Sequence, residues 1–300
     1  MLAVRAHRKG SQVTPSIRVC IITRFSILIE SPVHSWRILR SPLDPRTWLR
    51  PRNPTLEEKA AYLFAPARLE ARFRRFETLL LPSVAAQSQA AEHVVLASTL
   101  LPRPWRDRLE ALAGRHGFRL HFAGADRQVD RILVEDGLIA IPGAGRLATI
   151  RVDDDDAIAT SFVARVERLA RLDLDDYVLS FPKGVYLDQR RNPNLHARVV
   201  TANVACGLTR VLRKRRKTLS VYALGNHNSV HQRLPVLQLP DPDMYLMTTH
   251  ADNVSRRLLL RRLPGGTPLT PAAAAALQTQ FGVELGGPHI RQPNARHCPP

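Results

Sequence analysis

The stretch LATIRVDDDDAIATSFVARVERLA, residues 147–170, decides the fold. Its first six residues are an apolar, β-branched run that reads as a strand over 147–152. Four consecutive aspartates, Asp153, Asp154, Asp155 and Asp156, follow at once. Beyond them Ile158, Phe162, Val166 and Leu169 recur at helical spacing and predict a helix with one buried stripe. A strand, an acidic break and a helix make the repeating unit of a sheet covered by helices. Open sheets of that kind bind their ligands at the carboxyl ends of the strands, where this acidic run stands.

The same alternation extends to both sides. IRVCII (17–22) reads as a strand, and the proline-rich segment 31–56 as a loop. Leu69, Phe73, Phe76 and Leu80 predict a helix that Pro82 ends. HVVLAS (93–98) is a strand, 104–117 a helix closed by Gly114 or Gly117, and FRLHF (118–122) a further strand. In the second half, 177–181, 197–205, 219–222 and 244–247 read as strands joined mainly by loops. The expected fold class is α/β: a Rossmann-type, mostly parallel sheet flanked by helices, in a single domain over 16–263. A basic leader, 1–15, precedes it; it lacks the apolar core of a secretion signal and reads as disordered. A helix from Pro271 to Phe281 and a loose tail fill 264–300.

Composition sets limits on the partners. Of 44 basic residues five are lysine, so 39 are arginine, and the formal charge is +18. Such a field attracts phosphates, polyanions or an anionic membrane surface, while it says little about fold. Cys20, Cys206 and Cys298 are too scattered for a compact zinc signature or a disulfide framework, which points to the reducing cytoplasm. No stretch is long and uncharged enough to span a bilayer.

Four adjacent carboxylates repel one another unless cations or hydrogen-bond donors hold them. In an extended segment Asp153 and Asp155 would face one way and Asp154 and Asp156 the other; two same-face residues, about 7 Å apart along the strand, can share a divalent ion such as Mn²⁺ or Mg²⁺ or its water shell. Asp156 would also cap the helix starting near Ala157. Two later segments, GNHNSVHQRLP (225–235) and TTHADNVS (248–255), add histidines beside oxygen donors; of these His250 with Asp252 and Asn253 suits a metal-bound phosphate. The run RKRRK (213–217) could bind phosphate, although charge runs usually lie on a solvated face. Two other classes compete. A metal-dependent phosphohydrolase would use clustered aspartates but spread its ligands over several strands. A nucleic-acid binder would use the charge directly, yet only 6% of residues are aromatic and no stacking platform is evident, so no nucleic acid is expected.

RFS at Arg24–Ser26, RRFETLLLPSVAAQS at 74–88, VLAS at 95–98, LPRPWRDRLEAL at 101–112, IRVDDDDAI at 150–158, SFPKG at 180–184 and LPDPDMYLMTTHADNVS at 239–255 occur in this order. Together they resemble the rhamnosyltransferase family, which is similar to GT-A nucleotide-sugar transferases with an Asp-x-Asp metal motif. The resemblance implies transfer of a sugar, with rhamnose from dTDP-rhamnose as the candidate, to a glycan or lipid-linked acceptor. The expected location is the cytoplasm, with the basic charge allowing contact at the inner face of the membrane. It implies a nucleotide-sugar-binding half (16–160) and an acceptor-side half (161–263). Thr23, Arg24, Asp153 and Asp154 would meet the nucleotide-sugar. Asp153, Asp155, Asp156 and His250 would hold the metal, and Lys183, Gly184, Asp252 and Asn253 would shape the acceptor side. Asp241, Asp243 and His227 are the candidates for general base.

Overall fold

The computed structural model describes residues 16–28, 55–190, 194–214, 216–250 and 266–285. The leader, most of the proline-rich segment, Asp252, Asn253 and the last residues of the tail lie outside them.

A seven-stranded sheet forms the centre. β1 (Ile17–Phe25) pairs in parallel with β2 (Glu92–Ser98) and with β4 (Arg146–Arg151), and β2 pairs in parallel with β3 (Arg119–Ala123). β9 (Thr209–Leu212) runs antiparallel between β4 and β6 (Asp176–Ser180), and β10 (Val236–Gln238) closes the edge parallel to β6. A mostly parallel sheet must be covered on both faces, and β1 shows why, with Val19 to Ile22 buried throughout. Alternate residues enter two separate cores. Ile21 and Phe25 pack with Phe73, Phe76, Leu109 and Phe162, whereas Cys20 and Ile22 pack with Val129, Ile132 and Leu133. The first group comes from α2 (Pro66–Arg75), the π-helical segment Phe76–Leu80 that follows it, α4 (Arg103–His116) and α6 (Phe162–Leu169), the second from α5 (Val129–Glu135). α1 (Leu56–Leu63) precedes them with a Thr55–Glu58 capping box.

A smaller five-stranded sheet has the order β12-β8-β7-β11-β5, formed by β5 (Ala157–Ile158), β7 (Lys183–Asp188), β8 (Leu195–Val200), β11 (Tyr245–Thr249) and β12 (Thr267–Pro268). α7 (Pro271–Phe281) occupies the span expected from sequence, with Thr270 as its N-cap. No helix among the described residues is long and apolar enough to cross a membrane.

Several local expectations are corrected. Pro82 does not end the helix begun at Pro66. The chain passes through a π-helical segment, Phe76–Leu80, into α3 (Leu81–Ala85). Proline has no N–H for the carbonyl of Thr78, and the backbone N–H of Glu284 takes that acceptor at 3.1 Å. Gly117, with φ 70°, closes α4. Ile158 belongs to β5, so the helix starts later, at Phe162. Residues 221–224 form a 3₁₀ turn rather than a strand, and the strand expected over 197–205 ends at Val200. The chain then turns at Gly207 (φ 75°), where a Cβ would fall 2.7 Å from the Phe162 ring, and returns as β9, a strand with too few residues to stand out in sequence.

Candidate active site

The aspartates leave the carboxyl end of β4 but do not continue as a strand. The N–H of Asp156 donates to the carbonyl of Asp153 at 3.2 Å, so the four residues form a tight turn. The expected two-sided alternation is therefore replaced by four different directions. Nor does Asp156 cap a helix, because β5 follows and pairs with β11.

Each carboxylate meets its own partner. Asp153 accepts from Arg151 Nη2 at 2.9 Å and from Arg24 Nη2 at 3.3 Å. Asp154 is almost fully buried and forked by Arg72 of α2, whose Nε lies 2.8 Å from Oδ2 while Nη2 donates to Oδ1. Asp155 Oδ2 lies 2.8 Å from His250 Nε2. Asp156 accepts from the Thr248 N–H at 3.2 Å, and the Thr248 hydroxyl donates to the Asp155 carbonyl at 2.8 Å, so the end of β11 clamps the turn.

Burial and charge divide the run. Burial opposes ionisation of Asp153, but Arg151 and Arg24 outweigh it and hold the carboxyl well below the usual range. Burial likewise opposes ionisation of Asp155, and the hydrogen bond and charge of His250 overcome it, lowering the group. Burial pushes Asp154 up to about 6 against the pull of Arg72, with Asp155 adding to the rise. Burial also holds Asp156 well above the ordinary carboxylate value, reinforced by Asp155 and Asp153. The repulsion inherent in four carboxylates is thus relieved by arginines, a histidine and proton retention.

The remaining candidates are distributed unevenly. Arg24 reaches the turn, whereas Thr23, one residue earlier and on the other side of β1, is buried with its hydroxyl 3.1 Å from His93 Nε2. Lys183 and Gly184 begin β7, and β7 runs parallel to β11 with Asp188 opposite Thr249. They lie at the far end of that strand from His250, and Gly184 packs against the Tyr245 ring. Asp241 and Asp243 precede β11 at the same far end, where Arg165 and Arg198 hold them at 2.8 and 2.7 Å. His227 opens a 3₁₀ turn, His227–Gln232, between β9 and β10. The basic run follows Leu212, which pairs with Leu147 and Asp176 at the amino ends of β4 and β6. The sheet therefore separates it from the aspartates. Arg213 and Lys214 of that run bind Asp173 and Asp175 at 2.9 and 2.6 Å.

Three groups escaped the sequence reading. Arg68, Arg72 and Arg75 stand at i, i+4 and i+7 on α2, all largely buried, and Arg75 Nε donates to Gln189 Oε1 at 3.0 Å. Their helical spacing is visible in the sequence, but nothing local marks arginines on a helix as buried rather than solvated. Arg151 lies two residues before Asp153, the period that puts side chains on one face of a strand. Asp188 ends β7 beside Thr249, with Arg190 Nε at 2.7 Å.

Among the described residues no three His, Cys, Asp or Glu side chains converge as a full ligand set. A hard divalent ion in a phosphate-binding site commonly takes only one or two protein ligands and completes its shell with phosphate oxygens and water. Asp155 and His250 fit that requirement; Asp153 and Asp154 face arginines.

A family model described as "Putative rhamnosyl transferase" matches residues 19–262. None of the curated proteins matches the chain. Among solved structures it is similar to S. aureus TarS 1-349 at 12% identity, with 77% of this chain and 60% of that chain covered and a TM-score of 0.34. It is also similar to a "Putative Glucose-1-Phosphate Thymidylyltransferase" from Bacillus anthracis, at 13% identity with 84% and 98% covered and a TM-score of 0.34. A third similar structure is 4-diphosphocytidyl-2C-methyl-D-erythritolsynthase from Anaerococcus prevotii, at 9% identity with 82% and 96% covered and a TM-score of 0.33. The chain thus spans 60% of the TarS chain it matches. The family match covers most of the chain, including both strands that build the aspartate turn and its clamp, and the protein belongs to the rhamnosyltransferase family of glycosyltransferases.

Proposed function

We propose that the chain moves a sugar from a nucleotide-sugar donor, with rhamnose from dTDP-rhamnose as the candidate, onto a glycan or lipid-linked acceptor, with a divalent ion at Asp155 and His250. The observation that carries this reading is the 2.8 Å approach of His250 to Asp155, which brings two metal-ligating groups together from strands far apart in sequence. A bound Mn²⁺ or Mg²⁺ would stabilise the charge that develops on a departing nucleoside diphosphate. The chain's own groups prepare the place. Thr248 fixes the turn through two hydrogen bonds, and Arg72 neutralises Asp154, so the carboxylate offered beside His250 is that of Asp155. The pairing of Asp241 and Asp243 with arginines disfavours both as general base. Exposed Arg216 and Lys217, at the opposite end of the sheet, would serve peripheral contact with an anionic membrane.

The test is thermal denaturation with a panel of nucleotide-sugars, with and without Mn²⁺, since a ligand that binds only the native state stabilises it by mass action. One donor should raise the midpoint in a Mn²⁺-dependent manner, and Asp155→Asn should remove the dependence. A chain indifferent to every nucleotide-sugar, with or without metal, would sink the reading.

A further inference from the structure

Leu172 and Leu174 are among the few large apolar side chains left exposed in the described residues, each at 41%, and only Asp173 separates them. The loop that carries them is fixed. Arg146 Nη1 donates to the Leu174 carbonyl at 2.5 Å, and the Arg213 N–H donates to the Asp175 carbonyl at 2.8 Å. These bonds tie the loop to β4 and to the chain leaving β9, while both leucines stay in solvent. Cations gather around them. Leu174 shares a cleft with Arg216, Lys217 and Thr218. Among the described residues, Arg146, Arg210, Arg213, Lys214 and Arg216 find their carboxylate partners in Asp173, Asp175 and Asp176 alone, and Lys217 has none. Six cations thus meet three carboxylates, and three positive charges are not offset. Arg216 approaches Asp176 only to 3.9 Å, and Arg210 already forks that carboxylate at 3.0 and 2.8 Å.

Exposed cations by themselves fit any polyanion, and single exposed leucines are ordinary. Leucines on a fixed loop beside uncompensated cations fit a surface that is anionic outside and apolar just beneath. That surface is an anionic bilayer. We propose that this end of the sheet docks on the bilayer, with Leu172 and Leu174 entering the acyl boundary while Arg216 and Lys217 meet headgroup phosphates. Docking here sets an orientation, whose meaning for the acceptor rests on the sugar-transfer reading. Arg146 and Asp176 stand at the amino ends of β4 and β6, whereas the aspartate turn leaves the carboxyl end of β4. The six residues of β4 hold the turn as much as about 20 Å away from the docking face. The acceptor is therefore the free end of a glycan that reaches out from the membrane, not a sugar lying within the headgroup layer.

Flotation of the full chain with vesicles tests the docking face. Vesicles of phosphatidylglycerol and phosphatidylcholine in equal parts should bind it, and pure phosphatidylcholine should not. Arg216→Gln with Lys217→Gln should weaken binding about tenfold or more. Leu172→Ser with Leu174→Ser, at unchanged charge, should weaken it severalfold. A chain that ignores the mixed vesicles overturns the proposal. So does a leucine variant that binds them like the parent, and if polyphosphate then competes, the face is a polyanion site. Orientation has its own readout. Cys20 and Cys206 are buried, so with Cys298→Ser a polarity-sensitive dye can be placed at one chosen position. On Leu172→Cys its emission should shift to the blue when vesicles bind. On Leu100→Cys, just beyond the carboxyl end of β2, it should not. A shift at Leu100, or none at Leu172, reverses the orientation and the proposal falls. Docking by this face in a chain that accepts no nucleotide-sugar would keep the membrane contact and remove the transfer reading.

Discussion

His250 Nε2 stands 2.8 Å from Asp155 Oδ2, joining the chain just beyond β11 to the turn that follows β4. The two residues are 95 positions apart, and the sheet order brings them together because β11 pairs with β5, the strand that follows the turn. If this pair holds the ion, His250→Ala should lower turnover by about a hundredfold or more, the usual cost of removing one group that stabilises developing charge. The Mn²⁺ concentration for half-maximal rate should rise at the same time. Steady-state rates across a Mn²⁺ series decide the matter, and an unchanged metal dependence would mark the pair as merely structural.

The ion pair between Arg72 and Asp154 makes a separate prediction about folding. Asp154 is 1% exposed and its fork is 16% exposed, so removing the arginine leaves a carboxylate with nowhere to go. Arg72→Ala should cost about 3–5 kcal/mol in urea denaturation, whereas Arg72→Met with Asp154→Leu should recover most of it, since a packed apolar pair carries no desolvation penalty. A single variant within about 1 kcal/mol of the parent would show that the aspartate keeps its charge in water or takes up a proton freely.

The sheet order was not legible in the sequence, but its core strands were. Val19 to Ile22, Val94 to Ala97 and Leu147 to Ile150 are apolar runs buried on both faces, and such runs announce themselves. β9 and β10 are short and depend on neighbours for their conformation, so nothing local marked them. The aspartates stand out in the sequence as a candidate site, but their geometry does not. Extended chain was the natural reading of residues following a strand, while the observed turn is fixed by Thr248, some 92 positions away. Arg72 was hidden for the same reason: its partner is 82 positions distant. Long-range pairing decides what local pattern cannot.

Two glycines with opposite surroundings give a third prediction. A Cβ on Gly184 would run into the Tyr245 ring, while one on Gly114, inside α4, would meet nothing within 4 Å. Gly184→Ala should therefore destabilise by about 1–3 kcal/mol through overpacking. Gly114→Ala should stabilise by up to about 1 kcal/mol through helix propensity. Parallel denaturation curves measure both. A tolerated Gly184→Ala would leave room for the acceptor-side role that the family resemblance assigned to this residue.

The last prediction concerns acid. His93, on β2, is buried beside Thr23 and Phe118, and burial lowers its pKa to about 3, with His116 contributing less. The folded chain therefore prefers the neutral ring, while the unfolded chain takes up a proton near the ordinary value of about 6.5. Below that pH the unfolded state binds a proton that the native state refuses. The stability from a neutral His93 is therefore complete above about pH 6.5 and is lost as pH falls toward 3, by about 1.4 kcal/mol for each unit at the steepest. His93→Gln can keep a hydrogen bond to the Thr23 hydroxyl but cannot titrate. Compared with the parent it should be equal or weaker at pH 7.5 and should lose less stability between pH 6.5 and 4.5, by about 2 kcal/mol. Urea denaturation at a series of pH values provides the comparison, and parallel pH profiles for the two proteins would mean that the native state can admit the proton after all.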